Sequence, residues 1–183
     1  GDLEVDNFIF VNNSAGVYGG AVYNRGIALI EKSSFDSNFV YSGQDTYNDG
    51  ALYNYGGAIA SLGGELTVIE SNFTNNVAKD VNYISEGGAI YVSKSKVSIV
   101  KSTFEGNVAE LGVGGAVYLS NVRQNSVAID NCTFKENEAT QAGAIYIVIE
   151  DGVNEGYVKL NNCIFVENNA TGATSIQSDG PAI

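Results

Sequence analysis

A chain of 183 residues with 44% hydrophobic content is long enough to bury one continuous core and too apolar to remain disordered. Nine basic against 21 acidic residues leave a net charge of −12, which argues against nucleic acid or an anionic membrane as partner, because both need clustered Lys and Arg. No apolar run approaches the roughly 18 residues of a membrane span, and a single Pro among abundant Gly, Asn, Ser, Val, Ile and Tyr gives a strand-and-turn composition.

Two signatures alternate along the chain. The first coil carries Phe10, Asn13 and Ala15, a Phe-x-x-Asn-x-Ala string, followed by Gly-Gly-Ala-Val-Tyr at Gly19 to Tyr23. Phe35, Asn38 and Val40 begin the next, which is lengthened by "YSGQDTYNDGALYNYGG" at residues 41 to 57 before Gly56 to Ala60 closes it. "LTVIESNF" then leads into Phe73, Asn76 and Ala78, with Gly87 to Tyr91 behind them. "VSIVKSTF" leads into Phe104, Asn107 and Ala109, with Gly114 to Tyr118, and "VAIDNCTF" into Phe134, Asn137 and Ala139, with Ala142 to Tyr146. A bulge, "IEDGVNEGY" at residues 149 to 157, precedes "VKLNNCIF", Phe165, Asn168, Ala170 and a worn copy of the glycine string at Thr171 to Ser175.

The Phe-to-Phe spacings of 25, 38, 31, 30 and 31 are too long for a heptad and too even for chance. Before each late Phe the apolar residues alternate, as in Val97/Ile99, Val127/Ile129 and Val158/Leu160, and then the phase slips ahead of a second inward pair such as Cys132/Phe134. A period of two with a slip predicts strand, bend, strand. The fold class expected is therefore all-β: a single-stranded parallel β-helix over residues 1–183, about six coils with three short strands each.

Stacking coils about 4.8 Å apart places like residues over one another. The six Phe are expected inside the bore, each Asn at a turn where it tolerates left-handed backbone and its amide bonds to the Asn above and below. The glycines are expected at a corner that a Cβ would obstruct. In "GGAIYVS" Ile90 and Val92 are expected to point inward with Tyr91 outside, although alternation leaves the opposite phase open. Cys132 and Cys163 become axial neighbours, close enough for a disulfide, or a pair of reduced thiols where other coils place Ser33, Ser71 and Ser102; the second reading is preferred.

The pairing of Gly-Gly-Ala-Ile with Phe-x-x-Asn over residues 3 to 176 resembles the passenger domains of polymorphic outer membrane proteins of chlamydiae. It is similar also to the adhesin-like surface proteins of gut methanogens. The resemblance implies a right-handed helix, with Phe104, Asn107, Gly114, Gly115, Ala116 and Val117 as scaffold. It also implies an extracellular, cell-surface adhesin whose partner is a glycan or protein on a host or partner cell; the alternative is a purely structural stalk that spaces a distal domain of a surface protein from the wall. The Met-free chain is expected to be a segment of a longer surface protein, with further coils as neighbours and no membrane insertion of its own.

Parallel β-helices also carry polysaccharide lyases and hydrolases, whose sites need converging carboxylates or carboxylates with Arg or Lys. The Gly-Gly strands carry no such set, the chain has no His, and Arg25 and Arg123 follow different strands, so no catalytic residue and no cofactor is expected. Binding is placed in the 41–57 insertion, where Tyr41, Tyr47, Tyr53 and Tyr55 offer stiff aromatic surface beside Gln44, Asp45, Asn48 and Asp49. "DGALY" reads equally well as an added strand whose tyrosines cover an edge. A second candidate is the stripe of Tyr23, Tyr91, Tyr118 and Tyr146, expected to be exposed and able to accept sugar faces, or else to be ordinary cross-strand packing. Glu150, Asp151 and Glu155 suit Ca²⁺ by donor type but not by spacing, and a solvated turn is the preferred reading.

Overall fold

In the computed structural model Phe10 pairs in register with Phe35, Phe35 with Phe73, Phe73 with Phe104, Phe104 with Phe134 and Phe134 with Phe165, always in parallel strands. The structure describes residues 1–41, 54–80, 84–122, 126–149, 158–172 and 176–179, the last four by their backbone alone. Regular structure among them is entirely β, in three sheets that run side by side along one axis.

The first sheet takes two segments from each coil: the strand after the glycines and the alternating strand before the Phe. They are separate in Val117–Val122 and Val127–Asp130, and fused in Ile59–Ile69 and Ile90–Val100. The second sheet holds the Phe strands, such as Thr103–Glu105, and the third the Asn-x-Ala strands, such as Val77–Lys79. Following the chain from sheet to sheet gives a parallel β-helix whose second sheet counts six strands.

The phase slip has a backbone cause. One residue at each bend between the first and second sheets takes positive φ, among them Lys32, Glu70, Lys101 and Asn131, which leaves two successive side chains outside before the next one turns inward. A second set lies between the second and third sheets: Asn12, Ser37, Asn75, Gly106, Glu136 and Glu167. This corrects the sequence expectation, because the left-handed residue is the one before the repeated Asn. The Asn itself is held for its amide.

Asn38, Asn76, Asn107 and Asn137 are fully buried, and each satisfies its whole side chain. Asn76 Oδ1 accepts from the backbone N–H of Asn38 and from Asn38 Nδ2, both at 3.0 Å, while its own Nδ2 donates to Phe35 O and Asn107 Oδ1, both at 2.9 Å. A buried amide with four partners costs little, and one deprived of them costs a great deal. The bond pattern runs in one direction from Asn13 to Asn168.

The bore is filled by the Phe stack, whose ring centroids lie 4.7 to 5.0 Å apart, together with Ile59, Leu66, Ile90, Ile99, Leu119 and Ile129. At the glycine corner a Cβ on Gly88 would meet Gly115 O at 2.0 Å and Val108 C at 2.6 Å, so the backbones of adjacent coils touch there. Cys132 and Cys163 are free thiols that continue the serine ladder. Each sulfur lies near the carbonyl two residues before it, as the Ser71 and Ser102 hydroxyls do.

Candidate functional site

The outward side of the glycine corner is concave, and that decides the fate of the tyrosine stripe. Ile90 and Val92 point into the bore and Tyr91 points away from it, as preferred. Tyr91, Tyr118 and Tyr146 nevertheless retain only 7, 8 and 7% exposure, so the expected open aromatic stripe is corrected to a second core. Tyr18, Tyr55 and Val113, each the residue before a glycine pair, pack against this cluster together with Leu62 and Val148. Sequence alternation identified the outward phase but not the curvature that covers it. Tyr23, in the first coil, stays 46% exposed and stacks on Tyr18 at 5.1 Å.

Tyr55, half-buried, packs against this stack. It lies parallel to Tyr18 at 5.0 Å and tilted by 51° against Tyr91 at 4.5 Å, beside Ala60, where the glycine string lacks its tyrosine. Next to Tyr55 on the same ladder stands Glu86, followed by Val113 and Gln141. Burial raises the Glu86 carboxyl to about 7. Burial, and after it the charge of Glu86, pushes the Tyr91 phenol up to about 12, and the same causes raise Tyr118.

Tyr41 stands on the outer face of the third sheet, apart from the buried stack. Phe39–Tyr41 has its middle residue, Val40, in the interior, so Phe39 and Tyr41 both face solvent, 42 and 40% exposed. With Ser37, Asn75, Val77 and Lys79 they line an open, largely apolar depression of about 360 Å³. Phe39 pairs with Ser14 and Val77, and Tyr41 with Lys79, so no other ring lies beside them on those ladders. One wall is fixed by Lys79 Nζ, 2.8 Å from Glu110 Oε2, a partner that holds the ammonium pKa above its usual value. Where the insertion rejoins the helix, the buried Asn54 amide donates to Asp80 Oδ2 at 2.9 Å and to Lys79 O.

The predicted tyrosines thus divide. Tyr41 is at a surface depression, while Tyr91, Tyr118 and Tyr146 are in the second core and the half-buried Tyr55 packs against it. Tyr47, Tyr53, Arg123 and the Glu150, Asp151 and Glu155 set lie outside the described residues. Phe39, Val77 and Lys79 were missed, although "FVY" with a buried centre announces two outward rings where the next coil carries Val77 and Lys79. Among the described residues no three His, Cys, Asp or Glu side chains gather as a metal site, and no helix is long and apolar enough to cross a membrane.

Comparison with curated proteins returned no match, and neither did comparison with solved structures. The family of right-handed β-helix regions matches residues 1–182, essentially the full chain, with the glycine corners and the Phe and Asn ladders inside the match. The chain therefore belongs to the right-handed β-helix family and is a right-handed parallel β-helix repeat protein.

Proposed function

We propose that this protein is a contact module of a microbial cell-surface adhesin, binding a glycan or protein on a partner surface, without catalysing a reaction. The observation that carries the reading is the Phe39–Tyr41 depression: two rings held outward by a rigid strand on an otherwise acidic rod. Planar rings accept the apolar face of a pyranose or a partner's side chain, while the Tyr41 hydroxyl, Asn75 and Lys79 supply polar contacts at the rim. Being shallow, the depression suits modest affinity, which many copies on a cell would multiply. A glycan array and a cell-attachment assay with the wild type and with Phe39→Ala/Tyr41→Ala test it. The double variant should lose most binding while keeping its thermal unfolding temperature within a few degrees; unchanged binding would remove the depression from the account.

One observation favours a second reading, a polysaccharide-active enzyme. A carboxyl held near neutral pKa beside buried phenols is the electrostatic arrangement of a general acid or base. Incubation with neutral and uronic-acid polymers, followed for new reducing or unsaturated ends, separates the two readings. Turnover lost in Glu86→Gln would favour the enzyme.

A further inference from the structure

We propose that the Phe39–Tyr41 depression is one end of a longer track on the outer face of the third sheet, in which a linear, uncharged oligosaccharide lies along the rod axis with about one sugar to each coil. The inference rests on the contact reading above and deepens it, because it fixes the ligand class, its direction and its length.

The track follows from the register of the coils. Phe39 pairs with Val77, Val77 with Val108 and Val108 with Glu138, so one outward ladder crosses four successive coils. Tyr41 pairs with Lys79, and Lys79 Nζ reaches Glu110 Oε2 at 2.8 Å, which sets a second outward row beside the first. Val40, Ala78, Ala109 and Ala139, buried between the rows, hold both on the outside. Val77 and Lys79 line the depression already described, while their neighbours Val108 and Glu110 line a second one of about 190 Å³ together with Leu111, Glu138 and Thr140. The two depressions therefore meet at the Val77–Val108 and Lys79–Glu110 pairs. From Phe39 to Glu138 there are three inter-coil steps, about 14 Å at the usual strand spacing. An extended pyranose is close to one such step in length, so a tetrasaccharide fills the ladder.

The chemistry of the two rows selects the ligand. Phe39, Tyr41, Val77, Val108 and the 61% exposed Leu111 offer apolar surface to the C–H faces of sugar rings. Glu110, Glu138 and Thr140 accept hydrogen bonds from hydroxyls, and a carboxylate is the stronger kind of acceptor. Lys79, the cation in these linings, is already paired with Glu110, and Glu138 is exposed and enters none of the ion pairs among the described residues. An acidic track on a chain of net charge −12 repels uronate or sulfated polymers and admits neutral ones. An extended peptide fits less well, since it gains affinity by adding to an unpaired strand edge. The backbone N–H groups of Val77, Val108 and Glu138 already donate to the carbonyls of Asn38, Asn76 and Asn107. A sugar chain needs the side chains alone.

Titration calorimetry of the 1–183 chain with β-1,4-linked oligomers of glucose, mannose and N-acetylglucosamine, each from disaccharide to hexasaccharide, tests the proposal, with oligogalacturonates as the charged control. At least one neutral series should bind about tenfold or more tightly as the tetrasaccharide than as the disaccharide, with little gain beyond, and the oligogalacturonates should not bind. Glu138→Ala/Thr140→Ala, at two exposed positions, should bring the tetrasaccharide down to the affinity of the disaccharide and leave the disaccharide unchanged. Phe39→Ala/Tyr41→Ala should weaken both. Affinity independent of chain length, a Glu138/Thr140 variant that binds like the wild type, or a preference for uronate would each overturn the track while leaving Phe39 and Tyr41 as a contact site. Absence of binding by every neutral series would overturn it as well; attachment that still depends on Phe39 and Tyr41, and that is abolished by protease treatment of the partner cells, would then make the occupant a protein. The contact reading itself falls only when the Phe39/Tyr41 variant attaches to cells as the wild type does.

Discussion

Asn76 Nδ2 donates to Asn107 Oδ1 at 2.9 Å, and the Asn76 backbone N–H reaches the same oxygen at 3.0 Å. One acceptor therefore satisfies two buried donors of the preceding coil, and no other residue type of that size both accepts and donates in this way.

Asn107→Ala leaves both Asn76 donors and the Asn137 amide oxygen short of partners inside a closed bore. The expected loss is on the order of 3–5 kcal/mol. Urea unfolding should show a lower midpoint with little change in slope, whereas Asn13→Ala, at an exposed position, should cost under about 1 kcal/mol. Equal effects at the two sites would remove the amide ladder from the stability account.

Phe104 stands in the middle of the ring stack, 4.8 Å from Phe73 and 4.9 Å from Phe134. Phe104→Ala opens a cavity between two rigid neighbours and is expected to cost about 3–5 kcal/mol, with Phe104→Leu costing distinctly less. Calorimetry on the three proteins gives the order directly.

Gly88→Ala and Gly63→Ala separate two uses of glycine. The first drives a methyl into the backbone of the next coil and should prevent folding, read as loss of soluble protein and of the β signal in circular dichroism. The second meets nothing within 4 Å and has φ +78°, so it should cost only about 1 kcal/mol of backbone strain.

Stability should depend on pH through Glu86. Its folded pKa of about 7 lies above the ordinary carboxyl value of 4.5, so the folded state binds a proton that the unfolded state releases. That contribution favours folding less and less as pH rises from about 4.5 to 7, and above 7 the full destabilisation is present, of order 2 kcal/mol after allowance for the group's partial exposure. Glu86→Gln should therefore unfold at a higher temperature than the wild type at pH 8, with the gap shrinking towards pH 4.5. A gap that stays constant with pH would show that Glu86 is solvated like any surface carboxylate.

Burial raises the Cys132 thiol to about 11, while Cys163, one coil nearer the end, is partly exposed. Iodoacetamide at pH 8 should alkylate Cys163 well before Cys132 in the native protein, and both at similar rates in urea. Peptide mass spectrometry at timed intervals distinguishes them.

Much of this architecture was legible because ladders repeat their own chemistry. A Phe recurring near every thirtieth residue cannot be explained by local structure, so the sequence alone placed Phe73, Phe104 and Phe134 on one axis. The glycine corner was legible for the same reason. Its concavity was not: the covering residues Tyr18, Tyr55, Glu86 and Val113 share a ladder but no common chemistry, so no repeat announced them. The left-handed bends before the repeated Asn were misassigned by one residue because Ser, Gly and Glu occupy them as readily as Asn, and the conformation is imposed by the coils on either side. Tyr41 was found through its aromatic neighbourhood, while Phe39, two residues earlier, was overlooked because it precedes the insertion that drew attention.

The bonds between coils set how the rod would respond to a pull. Pairs such as Phe73–Phe104 and Asn76–Asn107 join residues 31 apart, and among the described residues the strands of each coil pair with those of the coils directly above and below it. Tension applied at the two termini would unspool the protein from an end, one turn at a time, each turn of about thirty residues paying out roughly 100 Å of slack. A tether built this way absorbs shear in repeated small yields where a globular domain would give way in one rupture.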